Sequence, residues 1–260
     1  MNRYALIIES SNVKGEDDLP GARDDADNWV EYLKSNLGGS WSDSEIRRLS
    51  KPSAINLDIW LNLYKDRYCF VTFSGHGRHS AKANETYVCL NESDRDYPIS
   101  QLKPRGSKGT LIVDACRGTE DGKRAVITEA TAMNEVLDVA NALRNREQIV
   151  KMSTSVPVSQ AYKWRNYLRD KTLNGVVTMY SCNVGEAAGE YEVGDPQKGG
   201  YYSSTLIAVA EQWSKKSYSS GVYSTKKAHD DTVIYFEKAF PQQNPQYTPP
   251  YLEFPFAVQS

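Results

Sequence analysis

YCFVTFSGHG, residues 68–77, and TLIVDACRG, residues 110–118, are two apolar runs that each stop abruptly at a candidate catalytic side chain. Such β-branched and aromatic runs are typical of strands that are buried on both faces of a parallel sheet. In an open parallel sheet the ligand crevice lies beyond the carboxyl ends of the strands. The pattern therefore predicts that His76 and Cys116 meet at one edge of the sheet.

The chemistry of this pair indicates a cysteine nucleophile. A thiolate attacks whereas a thiol does not, so Cys116 needs a nearby imidazole, and His76 is predicted to supply it. Glycines at positions 75 and 77 let the backbone turn sharply, so that the amides of Gly77 and Cys116 can point at a developing oxyanion.

A structural interpretation stands beside the catalytic one. A buried cysteine is usually a small hydrophobic residue, and a histidine between glycines is often only a turn residue. We apply that interpretation to the other cysteines and histidines, which are Cys69, Cys89, Cys182, His79 and His229.

Strand and helix patterns alternate along most of the chain. Further strands are expected at residues 4–9, 46–49 and 175–181, with a hairpin through residues 87–90. Helices are expected at residues 22–35, 55–65, 202–213 and 229–240. This alternation predicts an α/β fold with a mostly parallel central sheet and helices on both faces.

Several motifs together resemble a known family. Residues 74–77 read SGHG, residues 114–118 read DACRG, residues 19–26 read LPGARDDA and residues 180–183 read YSCN. The chain resembles the caspase-like cysteine peptidases, and within them the metacaspase and orthocaspase branch. The resemblance implies a caspase-like fold and a cysteine endopeptidase with a His76–Cys116 dyad and an acyl-enzyme.

Charge at the predicted site indicates the substrate. Asp114 lies two residues before Cys116, which on a strand places its side chain on the same face, so a cationic substrate side chain is expected. The resemblance implies a pocket for Arg or Lys that also contains Asp25 and Ser74. Aligning YSCN with the caspase pattern adds Ser181 and places Glu190 where animal caspases have a substrate-binding arginine. For Asp25, a helix N-terminal charge is an alternative interpretation.

Composition limits the function classes. The 260 residues are 40% hydrophobic, and we predict one domain over residues 1–260. A net charge of −2 provides no global field for nucleic acid or a membrane. Four cysteines without a zinc or disulfide pattern favour a reducing, cytoplasmic location. No signal peptide or apolar membrane span is recognisable, and a monomer is expected.

Two segments fit the family pattern least. Residues 119–174 form an insertion with a helical pattern at 129–146; it is either a solvated helical cover or a linker that the enzyme cleaves itself. The candidate self-cleavage sites there are Lys123, Arg124, Arg144, Arg146 and Lys151. The tail, residues 241–260, holds five prolines, so helix is excluded, and a short edge strand is expected at residues 251–254.

Cofactor and alternative functions stay open. The oxygen-rich stretch at residues 91–96 lacks regular calcium-ligand spacing, so no metal is expected, although calcium activation is a property of similar proteins. The expected partners are a protein or peptide substrate and a regulatory protein. The alternatives are a catalytically silent caspase-like binding module and another cysteine hydrolase of this architecture, such as a legumain-like enzyme.

Overall fold

The structure is a computed structural model that describes residues 2–119, 158–170, 172–192, 198–216 and 221–259. Its centre is a six-stranded sheet. The strands are β1 (Arg3–Ser10), β2 (Ile46–Ser50), β3 (Tyr68–Gly75), β7 (Lys108–Asp114), β8 (Gly175–Tyr180) and β10 (Gln246–Thr248). Their order across the sheet is β10-β8-β7-β3-β1-β2. All neighbouring pairs are parallel except β10 with β8, which is antiparallel.

Helices cover both faces of this sheet, because alternate residues of the inner strands point to opposite cores. One core contains Trp29, Trp164 and Tyr202, which are fully buried. The helices of this face are α1 (Pro20–Lys34), α4 (Val158–Tyr167), α5 (Tyr201–Lys215) and α6 (Thr225–Ala239). The opposite core receives Leu57 and Leu61 of α2 (Ala54–Leu63) and Leu102 of α3 (Ile99–Leu102). The α/β fold class is therefore confirmed.

Two small antiparallel sheets flank the main one. The strands β4 (Gly77–Ser80), β5 (Glu85–Val88) and β6 (Tyr97–Pro98) form a three-stranded sheet directly after β3. The strands β9 (Gly221–Ser224) and β11 (Pro255–Gln259) form a two-stranded sheet. The first of these sheets holds the segment that follows His76, because Gly77 pairs with Val88.

The tail differs most from the structure that its sequence predicts. The edge strand expected at residues 251–254 is wrong, since the chain is irregular there and pairs instead at β10 and β11. Pro249 and Pro250 lack amide hydrogens, and the amide of Leu252 donates within a turn to the carbonyl oxygen of Pro250 over 2.8 Å and not to a neighbouring strand.

Two helices begin earlier than their apolar spacing predicted. Helix α6 begins at Thr225, because the hydroxyl of Ser224 accepts a hydrogen bond from the amide of Lys227 and caps it. Helix α1 begins at Pro20, so Asp25 lies beyond its first turn. The helical pattern at residues 129–146 and the candidate self-cleavage sites lie outside the described residues.

Candidate active site

The two candidate catalytic residues follow neighbouring strands. His76 comes directly after β3 and Cys116 comes two residues after β7, and these strands pair in register from Cys69–Gly109 to Ser74–Asp114. Because adjacent parallel strands end at the same sheet edge, both side chains line one cavity of about 200 Å³. His76 is nearly buried and Cys116 is half-buried.

A backbone contact also joins the two loops. The amide of His79 donates a hydrogen bond to the carbonyl oxygen of Gly118 over 2.9 Å. Beside it, the guanidinium of Arg117 lies over the ring of Tyr180 at 4.0 Å and donates to the carbonyl oxygen of Cys182. The first contact holds the cysteine loop against the histidine loop, and the contacts of the Arg117 side chain hold the cysteine loop against the end of β8.

The Cys116 thiol packs against the loop that precedes α5. Its Sγ accepts a hydrogen bond from the amide of Ala188 over 3.3 Å and lies 3.7 Å from the carbonyl oxygen of the same residue. Burial raises the pKa of the Cys116 thiol above its ordinary value, and the nearby Asp114 carboxylate raises it further, whereas the Ala188 amide lowers it. The resting side chain is therefore a thiol at neutral pH.

The His76 imidazole is oriented by a backbone carbonyl. Its Nε2 lies 2.7 Å from the carbonyl oxygen of Asp17, a distance at which a protonated Nε2 donates a hydrogen bond. That bond favours the tautomer whose Nδ1 accepts protons. Burial lowers the pKa of His76, so its neutral, basic form predominates at neutral pH.

Gly77 is required by a close approach of two backbones. A Cβ added at this residue would lie 2.7 Å from the carbonyl oxygen of Cys116 and 2.9 Å from Cβ of Ala115. These are shorter than real Cβ contacts, and the atoms that would have to move belong to the nucleophile's own loop. The predicted role of the Gly77 amide as an oxyanion donor depends on this approach.

We expect Gly77→Ala to lower peptidase kcat by about 100-fold, since a displacement of the order of 1 Å at a catalytic loop has that effect. Gly118→Ala is the matched control, because a Cβ at Gly118 meets nothing within 4 Å. Steady-state kinetics of both variants check the prediction. Equal kcat values for the two variants would contradict it.

Carboxylates line the opposite part of the cavity. Asp25 and Asp114 are 1% and 6% exposed. Their carboxylates lie close together, because a Cβ added at Gly200 would be 3.0 Å from Oδ2 of Asp25 and 2.4 Å from Oδ2 of Asp114. Burial, with the charge of Asp114, raises the pKa of Asp25 well above its ordinary value, and burial also raises the pKa of Asp114. No Lys or Arg of the described ranges lines this cavity.

Glu190 stands half-buried in the same wall. Its carboxylate faces Gly21 at the start of α1, where an added Cβ would lie 2.6 Å from Oε2. Burial, together with the negative charge of Asp114, raises the pKa of Glu190 to about 7. Its charge therefore changes within the physiological pH range.

The two predicted serines occupy different positions. Ser74 lines the cavity, and its hydroxyl makes a hydrogen bond to Asp25. Ser181 is fully buried behind the cavity wall, where its hydroxyl accepts from the amide of Ala115 over 3.3 Å and makes a hydrogen bond to Asp114. Ser181 thus supports the wall and does not face the cavity.

The remaining predicted residues have structural contacts. His229 is buried and lies 2.7 Å from the hydroxyl of Tyr202, and burial lowers its pKa to about 4. Cys69, Cys89 and Cys182 are buried. In the oxygen-rich loop, Asn91 Oδ1 accepts from two backbone amides, while Asp94 Oδ2 accepts from the amide of Ala54.

Three contributors were missed by the sequence analysis. They are the carbonyl of Asp17 at the imidazole, the amide of Ala188 at the thiol and the serine at position 203 beside Asp114. The first two act through the backbone, which carries no residue-type signal. The third is brought to Asp114 by tertiary folding across 89 residues of sequence.

Comparisons with known proteins identify the family and support the fold. A family model described as caspase domain, of the peptidase C14 group, matches residues 2–252. Among solved structures, caspase-1 from Spodoptera frugiperda superposes with a TM-score of 0.58 at 12% identity, over 100% of this chain and 91% of that chain. Comparison with functionally curated proteins finds no significant match. At such low identity the structural match supports the fold alone.

Proposed function

The chain belongs to the caspase-domain family of cysteine peptidases, and from this premise we propose that it cleaves peptide bonds after Arg or Lys with a His76–Cys116 dyad. One observation carries the proposal: the cavity that contains His76 and Cys116 is also lined by Asp25, Asp114 and Glu190. A single cavity thus offers both a nucleophile and a partner for a cationic side chain.

The proposed reaction begins with proton transfer from Cys116 to His76. The sulfur attacks the substrate carbonyl carbon, forming a carbon–sulfur bond, while the amides of Gly77 and Cys116 stabilise the oxyanion. The imidazolium then protonates the leaving amine as the carbon–nitrogen bond breaks. Finally His76 takes a proton from water, which hydrolyses the thioester and returns the thiol.

The structure favours a neutral resting dyad for this reaction. The pKa of the Cys116 thiol is raised and the pKa of His76 is lowered, so the proton stays on sulfur in the empty site. Proton transfer from sulfur to His76 must therefore accompany substrate binding, and the amide of Ala188, which lowers the pKa of the thiol, favours that transfer. This arrangement limits thiolate chemistry in the absence of a peptide.

The preference for Arg or Lys follows from the cost of burying charge. A cation that enters the cavity would be uncompensated without the carboxylates, and breaking such a buried pair costs about 3–5 kcal/mol. An acidic substrate side chain would instead meet Asp114 and Glu190 at close range. Cleavage after Asp is therefore not expected.

The pH dependence of a Glu190→Gln variant tests whether this carboxylate attracts the substrate cation. Because the pKa of Glu190 is about 7, this carboxylate attracts a cationic substrate only above that pH. We expect Glu190→Gln to lower kcat/KM for an Arg peptide roughly fivefold at about pH 8.5 and hardly at about pH 5.5. The measurement is the ratio of wild-type to variant kcat/KM across this pH range. The titration of the dyad affects both proteins equally and therefore cancels in this ratio.

Glu192→Gln is the matched control, since Glu192 is exposed and lies outside the cavity wall. Its ratio to wild type should not change with pH. A ratio for Glu190→Gln that is equally flat would show that this carboxylate does not contact the substrate cation.

Fluorogenic peptides with Arg, Lys, Asp or Asn before the scissile bond test the function as a whole. Turnover of the Arg and Lys peptides alone supports the proposal. Turnover of the Asn peptide alone would favour the legumain-like alternative, whereas no turnover of any peptide would favour a silent binding module.

A further inference from the structure

One serine holds the carboxylate of Asp114 from behind. Ser203 donates its backbone N–H to Oδ2 of Asp114 over 3.0 Å and its hydroxyl to the same oxygen over 2.8 Å. Ser203 is 0% exposed and does not line the cavity. The contact therefore lies inside the protein, on the side of Asp114 that faces α5.

Ser203 lies in the first turn of α5, so the amides at the start of this helix also take part in the contact with the cavity carboxylates. The helix begins after Gly200, which provides no side-chain cap, so its first amides need other acceptors. The amide of Ser203 donates to Asp114, and the amide of Gly200 donates to Oδ1 of Asp25 over 2.9 Å. The positive end of the helix thus meets the two buried carboxylates of the cavity.

We propose that Ser203 is a specificity-positioning residue, which fixes Oδ2 of Asp114 so that the carboxylate meets the substrate's Arg or Lys in one orientation. The inference rests on the proposed function, because it names the residue that prepares the same pocket. Ser203 itself touches neither the substrate nor the reacting atoms.

The physical reason is the cost of an isolated buried charge. Asp114 lies deep in the wall, and burial alone would favour its neutral, protonated form. Hydrogen bonds from Ser203 and Ser181 favour the ionised form and so oppose that effect. A pocket whose carboxylate is protonated or rotated away would lose its partner for a cation.

Removal of the Ser203 hydroxyl should change the pKa of Asp114 in a defined direction. Ser203→Ala keeps the backbone donor and deletes one bond to the charged form, so the pKa of Asp114 must rise. The acid limb of kcat/KM for an Arg peptide then moves to higher pH. Other ionisable groups face Asp114 as well; they are Asp25 on α1, Glu190 and Cys116 in the cavity wall, Tyr202 on α5 and, within the same cavity, His76.

Kinetics of Ser203→Ala are the first test. Because a hydrogen bond to a charged group is stronger than one between neutral groups, we expect its loss to lower kcat/KM for an Arg peptide about 10- to 100-fold, chiefly by raising KM. The acid limb of the pH profile should move upward by about one pH unit. At a pH well above the acid limb of both proteins, where Asp114 is ionised in each, the rate at which iodoacetamide alkylates Cys116 should stay at the wild-type value, because that reagent carries no cation.

Ser204→Ala is the matched control. Ser204 is buried one residue further along α5, and its hydroxyl donates to the carbonyl oxygen of Lys198 and not to a carboxylate. It should keep the wild-type KM and acid limb. Equal KM values and pH profiles for the two alanine variants would overturn the proposal.

A measurement without turnover separates this inference from the proposed function. In the Cys116→Ala background, ¹³Cγ-aspartate NMR gives the pKa of Asp114, with Asp114→Asn for assignment. A pKa raised by Ser203→Ala but not by Ser204→Ala supports the positioning role, even if no Arg or Lys peptide is cleaved. An unchanged pKa overturns that role, even if such peptides are cleaved.

Discussion

Cys116→Ala is expected to lower kcat/KM for an Arg-containing peptide by at least about 10⁴-fold, because the sulfur is the atom that forms the acyl-enzyme. The fold should be retained, since Cys116 is only half-buried and the hydrogen bonds of its thiol to Ala188 involve backbone atoms. Progress curves with the Arg peptide measure the loss, and circular dichroism checks the fold.

Cys89→Ala is the matched control for this loss. Cys89 is another free cysteine, and its thiol contacts the carbonyl oxygen of Asn91 outside the cavity. It should keep wild-type turnover. Turnover that survives in Cys116→Ala would exclude Cys116 as the nucleophile, whatever the other variants do.

Asp114→Asn is expected to lower kcat/KM for an Arg peptide by about 100- to 1000-fold or more, which corresponds to the cost of breaking a buried ion pair. The amide has nearly the shape of the carboxylate, and its oxygen can still accept both bonds from Ser203. The loss would therefore report charge and not packing. Steady-state kinetics with Arg and Gln peptides give the comparison, and the Gln peptide should be affected least.

Stability should change in the opposite direction. The pKa of Asp114 is raised in the folded protein, so above that pKa its ionised form destabilises the folded state relative to the unfolded chain. Below the unfolded pKa the carboxyl is protonated in both states and this cost vanishes. At neutral pH, Asp114→Asn should therefore unfold at the same or a higher denaturant concentration than the wild type.

Asp27→Asn serves as the control for the pocket variant. It removes one negative charge from α1 at an exposed position, where Asp27 pairs with Arg48. Its kcat/KM should equal the wild-type value. If both variants lost activity equally, the effect of Asp114 would be one of overall charge and the pocket assignment would be wrong.

The strands could be predicted well because their signal is local. A strand buried on both faces must be apolar throughout, so the runs at residues 68–73 and 110–113 lie within β3 and β7, which extend by only one or two residues beyond them. The tail was predicted less well. Its pairing depends on the partners Thr178–Tyr180 and Gly221–Ser224, which are distant in sequence.

The acidic side chains of the cavity also show how far prediction from local sequence can go. Asp114 could be placed at the site because it shares a strand end with Cys116. Asp25 left two interpretations open, since a helix N-terminal charge and a pocket carboxylate have the same sequence pattern. Its near-complete burial and its bond from the amide of Gly200 place it in the cavity wall.

By itself the sequence determined a parallel α/β sheet with His76 and Cys116 after two of its strands, since apolar runs and the residues that end them are local properties. Only the tertiary structure decided that these strands are neighbours, that Asp25, Asp114 and Glu190 share their cavity and that the start of α5 contacts Asp114. Those facts depend on contacts between distant segments, whose free energies come from burial and hydrogen bonding in the folded chain.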